Sequence, residues 1–116
     1  MGFRTNAISK NAASLMEAGE EIEELAIVRA HDGGGNYAVA ATPKNVYVFS
    51  LAGLGFGKVQ ERVAKIPMRR VTVEQRSSVL VIGRRGAGEP EQHVFLTLPG
   101  SGPKRLAAYV AERTAR

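Results

Sequence analysis

A chain of 116 residues is the usual size of one domain and leaves no room for two. Hydrophobic content of 44% and charged content of 23% are ordinary for a globular protein, and the lack of cysteine excludes a disulfide framework and a thiolate metal site. The net charge of +5 is uneven: residues 58–116 hold twelve Lys/Arg against five Glu, while residues 1–57 are net acidic.

Met1 to Lys10 contain no apolar core of the kind a signal peptide needs, and no run approaches the roughly 18 apolar residues that span a bilayer. The expectation is a soluble, cytoplasmic protein. In residues 5–18, Ile8, Ala12, Leu15 and Met16 line one face of a 3.6-residue period, with Thr5 or Asn6 as cap and Gly19 as the stop. This predicts an N-terminal helical extension over 1–19. Its narrow stripe must pack on something, either its own domain or a neighbouring copy, which makes Ile8, Leu15 and Met16 candidate oligomer contacts.

The acidic run Glu20 to Glu24 leads into a first strand, Leu25 to Ala30, of two-residue period. It stops at the glycine-rich turn after His31-Asp32. Tyr37 to Ala41 and Val46 to Leu51 form a hairpin around Thr42-Pro43-Lys44-Asn45, where proline presets φ and Asn tolerates the left-handed region. After the loop 52–57 come a fourth strand at Val59 to Ile66, with Pro67 marking a bulge or break, and a fifth around Val71 and Val73. A sixth covers Val79 to Ile82, and a seventh carries Val94, Leu96 and Leu98. Beyond Pro99-Gly100, Ser101 or Gly102 caps a closing helix with Leu106, Tyr109 and Val110 on its apolar stripe. Short strands on tight turns predict a mainly β sandwich or partly open barrel with a helix as its plug.

This order resembles the pleckstrin-homology-like (PH-like) superfold, and more particularly the short bacterial PH-like domains. The resemblance covers about Glu20 to Arg116 and rests on the hairpin from Ala38 to Leu51, the Ile-Pro passage from Val63 to Arg76, and the last strand with its helix. It implies a PH-like domain over 20–116 that serves as a non-catalytic interaction module, without cofactor, self-associating or binding a protein or peptide. Phosphoinositide-binding members of that superfold keep several basic residues in the first hairpin. Here Arg29 to Asn36 offers one Arg and an acid, so that headgroup site does not carry over.

Three further patterns carry possible chemistry. Gly53 to Lys58 fails as a phosphate loop, because Ala52 and Val59 stand where a Gly and a Ser/Thr are required and a strand follows. Its tip residues Leu54 and Phe56, beside Lys58, remain candidates for a partner surface or for folding back. His31-Asp32 is a His–acid pair at a turn, and no metal-ligand spacing accompanies it. The basic residues Arg62, Lys65, Arg69, Arg70, Arg76, Arg84 and Arg85 suggest a basic surface for an anionic partner, nucleic acid or membrane, with Arg62 and Arg76 expected to share a face with Arg84. No aromatic residue is interleaved with them, which weakens a nucleic-acid role.

Overall fold

The computed structural model describes residues 12–32, 34–52, 58–86, 91–98 and 100–114. The described residues form strands β1 (Glu24–Ala30), β2 (Asn36–Ala41), β3 (Asn45–Leu51), β4 (Val59–Pro67), β5 (Val71–Arg76), β6 (Val79–Arg84) and β7 (Glu91–Thr97), then helix α1 (Gly102–Thr114). They make one antiparallel sheet in the order β4-β3-β2-β1-β7-β6-β5. The predicted β-rich architecture with a closing helix is therefore observed.

The β2–β3 hairpin is in register from Ala41↔Val46 to Tyr37↔Ser50. Its turn is tied by the Thr42 N–H, which donates to the Asn45 carbonyl at 2.9 Å, and by Thr42 Oγ1, which accepts from the Asn45 N–H at 3.0 Å. Asn45 is not left-handed as the turn chemistry suggested. The non-glycine residue at positive φ among the described residues is Ser77, in the β5–β6 turn.

β1 joins the two halves of the sheet. It pairs with β2 along its length but with β7 only through Val28, Arg29 and Ala30. β4 and β5 are consecutive in the chain yet lie at opposite edges of the strand order, so the sheet has to curl to bring them together. The Met68–Arg70 turn makes that corner, and the Met68 N–H donates to the Lys44 carbonyl at 2.8 Å.

Inside the curl, Val28, Val39, Val46, Val48, Ile66, Leu80 and Ile82 pack with Leu106 and Val110 of α1. The helix enters tightly over β1: a Cβ at Gly102 would sit 3.0 Å from the Leu25 carbonyl oxygen, so any larger residue would have to push this crossing apart by a few tenths of an ångström.

The outer face of β2 and β3 is buried as well. Ala40, Tyr47 and Phe49 form a second cluster with Ala12, Leu15, Met16, Ile22 and Leu25. Half of the expected helix 5–18, including Ile8, lies outside the described residues, which begin at Ala12 and show a single 3-10 turn at Ala13–Leu15. From Ala12 onward the segment packs on its own domain. The expected break between an extension at 1–19 and a domain starting at 20 thus has residues packed across it.

A polar node holds this segment down. Glu20 accepts hydrogen bonds from the Tyr47 and Thr42 hydroxyls and from Asn45 Nδ2 at 2.9 Å. The Glu17 N–H donates to Tyr47 Oη at 3.1 Å, and the Glu17 carboxylate pairs with Lys65. Burial raises the Glu20 carboxyl pKa, but the three donors and the Lys44 charge outweigh it and leave the group below its ordinary value. Burial and the neighbouring Glu20 carboxylate push the Tyr47 phenol up to about 12, against a lowering contribution from the Glu17 N–H.

Replacing Leu106 by Ala is expected to cost about 2–5 kcal/mol in denaturant unfolding, since the side chain is fully buried between α1 and the sheet. The Glu20 contribution to stability is present above the ordinary carboxyl value of 4.5 and is lost as pH falls through the lower folded value. A pH series of unfolding midpoints is expected to show that loss in the parent chain and its absence in Glu20→Gln.

Candidate interaction site

Strand curvature leaves one end of the barrel open, away from the helix. There β1 ends in a turn closed by the Ala30 N–H donating to the Gly35 carbonyl at 2.8 Å, and Asp32 Oδ1 accepts from the Gly34 N–H at 2.9 Å. Beside this turn lies a cavity of about 280 Å³ lined by Ala30, His31, Asp32, Tyr37, Val63, His93, Val94 and Phe95. Its aromatic floor is continuous. Tyr37 and Phe95 meet with ring centres 5.4 Å apart, and His93 stacks on Phe95 at 6.4 Å. Such offset aromatic contacts hold side chains in place beyond what area burial alone supplies.

Val63 and Val94, 40% and 36% exposed, are the large apolar side chains that the described residues leave in solvent; both residues border this mouth, with the Val94 side chain on the face of β7 opposite to His93 and Phe95. Val63 sits next to irregular pairing in the β3–β4 ladder: Val48 faces Ala64 and Phe49 faces Arg62, so Val63 is the extra residue between them. A bulge of this kind re-aims a side chain and blunts a sheet edge.

Outside the lining, Glu91 ties His93 to Arg84. It pairs with Arg84 Nε at 3.1 Å and with His93 Nε2 at 2.8 Å. The His93 hydrogen bond, with the charges of His93 and Arg84, brings the Glu91 carboxyl below its ordinary value against a raising contribution from burial. Among the described residues no group of three or more His, Cys, Asp or Glu is placed to hold a metal ion.

The basic candidates do not converge on the mouth. Arg62 Nη1 donates to the Leu15 carbonyl at 3.3 Å, toward the N-terminal segment. Arg76 pairs with Glu74 at 2.9 Å, near the β5–β6 turn. Arg84 also donates to the Lys65 carbonyl at 3.1 Å, bridging β6 to β4. Arg84 lies opposite Val71, and Arg76 stands five residues along from Val71 on the same strand. Since strand side chains alternate, Arg76 and Arg84 face opposite ways, and the expected shared face is not formed.

Arg85 stands instead with Arg69 and Arg70. Lys58 is exposed, and its carbonyl accepts from the Ala52 N–H at 2.9 Å. Leu54 and Phe56 lie outside the described residues. Leu15 and Met16 are half-buried on the outer face of the sheet. Of the residues lining the mouth, the sequence singled out His31-Asp32 but not Tyr37, Val63, His93 or Phe95. His93 and Phe95 alternate on one strand face and gave the available signal, whereas His31, Val63 and Phe95 meet only through the curl of the sheet.

This architecture is the pleckstrin-homology fold. The chain superposes on the DH/PH domains of PDZ-RhoGEF in complex with GTP-γ-S activated RhoA, with a TM-score of 0.66 at 10% identity. That match covers 97% of this chain and 39% of the other. It is similar to the DH/PH domains of a p115-RhoGEF mutant, with a TM-score of 0.64 at 7% identity over 90% of this chain and 33% of that one. A complex of human RhoA with the DH/PH fragment of PDZRHOGEF gives a TM-score of 0.61 at 10% identity, covering 97% and 39% respectively. The chain therefore spans about two-fifths or less of the structures it matches. No protein-family model matches it, and no curated protein matches it in sequence.

Val63→Asp is expected to change unfolding stability by no more than about 0.5 kcal/mol, because the side chain already faces solvent. Phe95→Ala, which removes the buried floor, is expected to cost about 3–5 kcal/mol in the same assay.

Proposed function

We propose that this chain is a non-catalytic interaction module, of the kind formed by short bacterial PH-like domains, and that it binds a protein partner at the open mouth of its barrel in the cytoplasm. One observation carries the reading. A concave site at the strand ends has a fixed floor of Tyr37, Phe95 and His93, with the exposed Val63 at its edge. A concave apolar floor with a few polar groups on its rim is the usual form of a recognition pocket, and a buried apolar anchor is where partner affinity concentrates. His31, Asp32 and the Glu91–His93 pair supply groups that can orient the backbone around such an anchor. The structural neighbours that hold RhoA make a protein partner a natural occupant for this fold.

Self-association through Leu15 and Met16 has less support, because these side chains already cover Tyr47 and Phe49 on their own sheet. A chain without cysteine suits the reducing interior of a cell.

A displayed library of random peptides panned on the full chain tests the proposal. Enrichment of peptides with one large apolar anchor is expected, with amide shifts on binding centred on Val63, Val94 and Phe95. Val63→Asp is expected to weaken such a peptide by about tenfold or more, while Val94→Asp, on the opposite face of β7, is expected to leave it bound. Absence of enrichment, or binding that Val63→Asp leaves intact, would overturn the reading, and concentration-dependent mass in light scattering would redirect it to self-association.

A further inference from the structure

Three arginines from two separate turns meet in an open groove of about 480 Å³, lined by Arg69, Arg70, Arg85 and Gly86. Like charges brought together this way repel one another, and among the described residues none of the three pairs with a carboxylate. The convergence is nevertheless built. The Arg85 N–H donates to the Arg70 carbonyl at 2.8 Å, and Arg85 Nη2 donates to the Arg69 carbonyl at 3.4 Å, which clamps the two turns together. The Arg70 guanidinium lies against Gly86, where any Cβ would collide with Nη1. Gly86 also has φ of +129°, a conformation that side-chain-bearing residues rarely adopt.

We infer that this groove is a binding site for a phosphate monoester carried by a protein partner. Guanidinium forks match phosphate oxygens with paired, charge-assisted hydrogen bonds, and a phosphate near neutral pH presents more negative charge and more acceptors than one carboxylate. Among the described residues the lining contains no aromatic side chain on which a base can stack and no apolar side chain to enter a bilayer. The site is separate from the mouth, and its failure would leave the proposed function standing.

Titration of the isotopically labelled full chain with O-phosphoserine, with serine as control, tests the inference by amide and arginine side-chain shifts. Saturable shifts confined to Arg69, Arg70, Arg85 and Gly86 are expected with phosphoserine and absent with serine. Arg70→Ala and Arg85→Ala are expected to weaken the interaction by about tenfold, since each removes a charged donor pair. Arg85→Lys keeps the charge and serves where an alanine variant fails to fold; a severalfold loss is expected. Unsaturated or scattered shifts, or affinity equal in Arg85→Lys and the parent chain, would overturn a built phosphate site. Arginine-dependent binding to phosphatidylserine vesicles or duplex DNA, with no response to phosphoserine, would equally overturn it in favour of a lipid or nucleic-acid surface.

Discussion

Strand β3 is buried on both of its faces, and much of the remaining structure follows from covering it. Val46 and Val48 point into the curl and require the opposite wall of the barrel and the apolar stripe of α1. Tyr47 and Phe49 point outward and require a second cover, which the segment from Ala12 to Ile22 supplies together with Leu25. The small side chains of Ala38 and Ala40, both fully buried, leave room on the outer face for a chain segment to approach. Tyr47 brings a hydroxyl into this apolar setting, where an unpaired polar group is costly. Its O–H donates to the Glu20 carboxylate and the Glu17 N–H donates to its oxygen, so one tyrosine fixes two points of the covering segment.

The same closure decides where interaction chemistry can sit. With α1 spanning β1 and β5, and the N-terminal segment on the outer face of β2 and β3, the strand ends opposite the helix are left as a concave surface. There the inward residues of β1, β2 and β7 end in Ala30, Tyr37 and Phe95. At the β4–β5 corner the chain reverses beside Arg85, and three guanidiniums collect. These are consequences of topology: a sheet whose consecutive strands β4 and β5 stand at opposite edges closes only at such a corner.

Much of the strand order was legible because local alternation and turn residues agree. The Val/Tyr/Phe run of β3 with Thr42-Pro43 ahead of it marks a hairpin in few residues. That same run carries a signal the residue pattern alone left unused: apolar side chains at both parities, Val46 and Val48 against Tyr47 and Phe49, indicate a strand covered on two sides. The role of residues 12–22 as that cover is non-local and follows from the Glu20–Tyr47 node, 27 positions apart. The opposite orientation of Arg76 and Arg84 needed the β5–β6 register, which a turn of uncertain length does not fix. The mouth and the arginine groove each gather side chains from separate strands and turns, so spacing along the chain carries little trace of either.

Protection of the Glu17 amide in native-state hydrogen exchange tests the two-sided burial of β3 most directly. Its N–H donates to Tyr47 Oη across the outer cluster, far from any regular ladder. With the covering segment integral to the fold, this amide is predicted to exchange only in openings that also release outer-face strand amides such as those of Tyr47 and Phe49, slowed by orders of magnitude relative to an open chain. Exchange of Glu17 at the open-chain rate while β3 stays protected would contradict it.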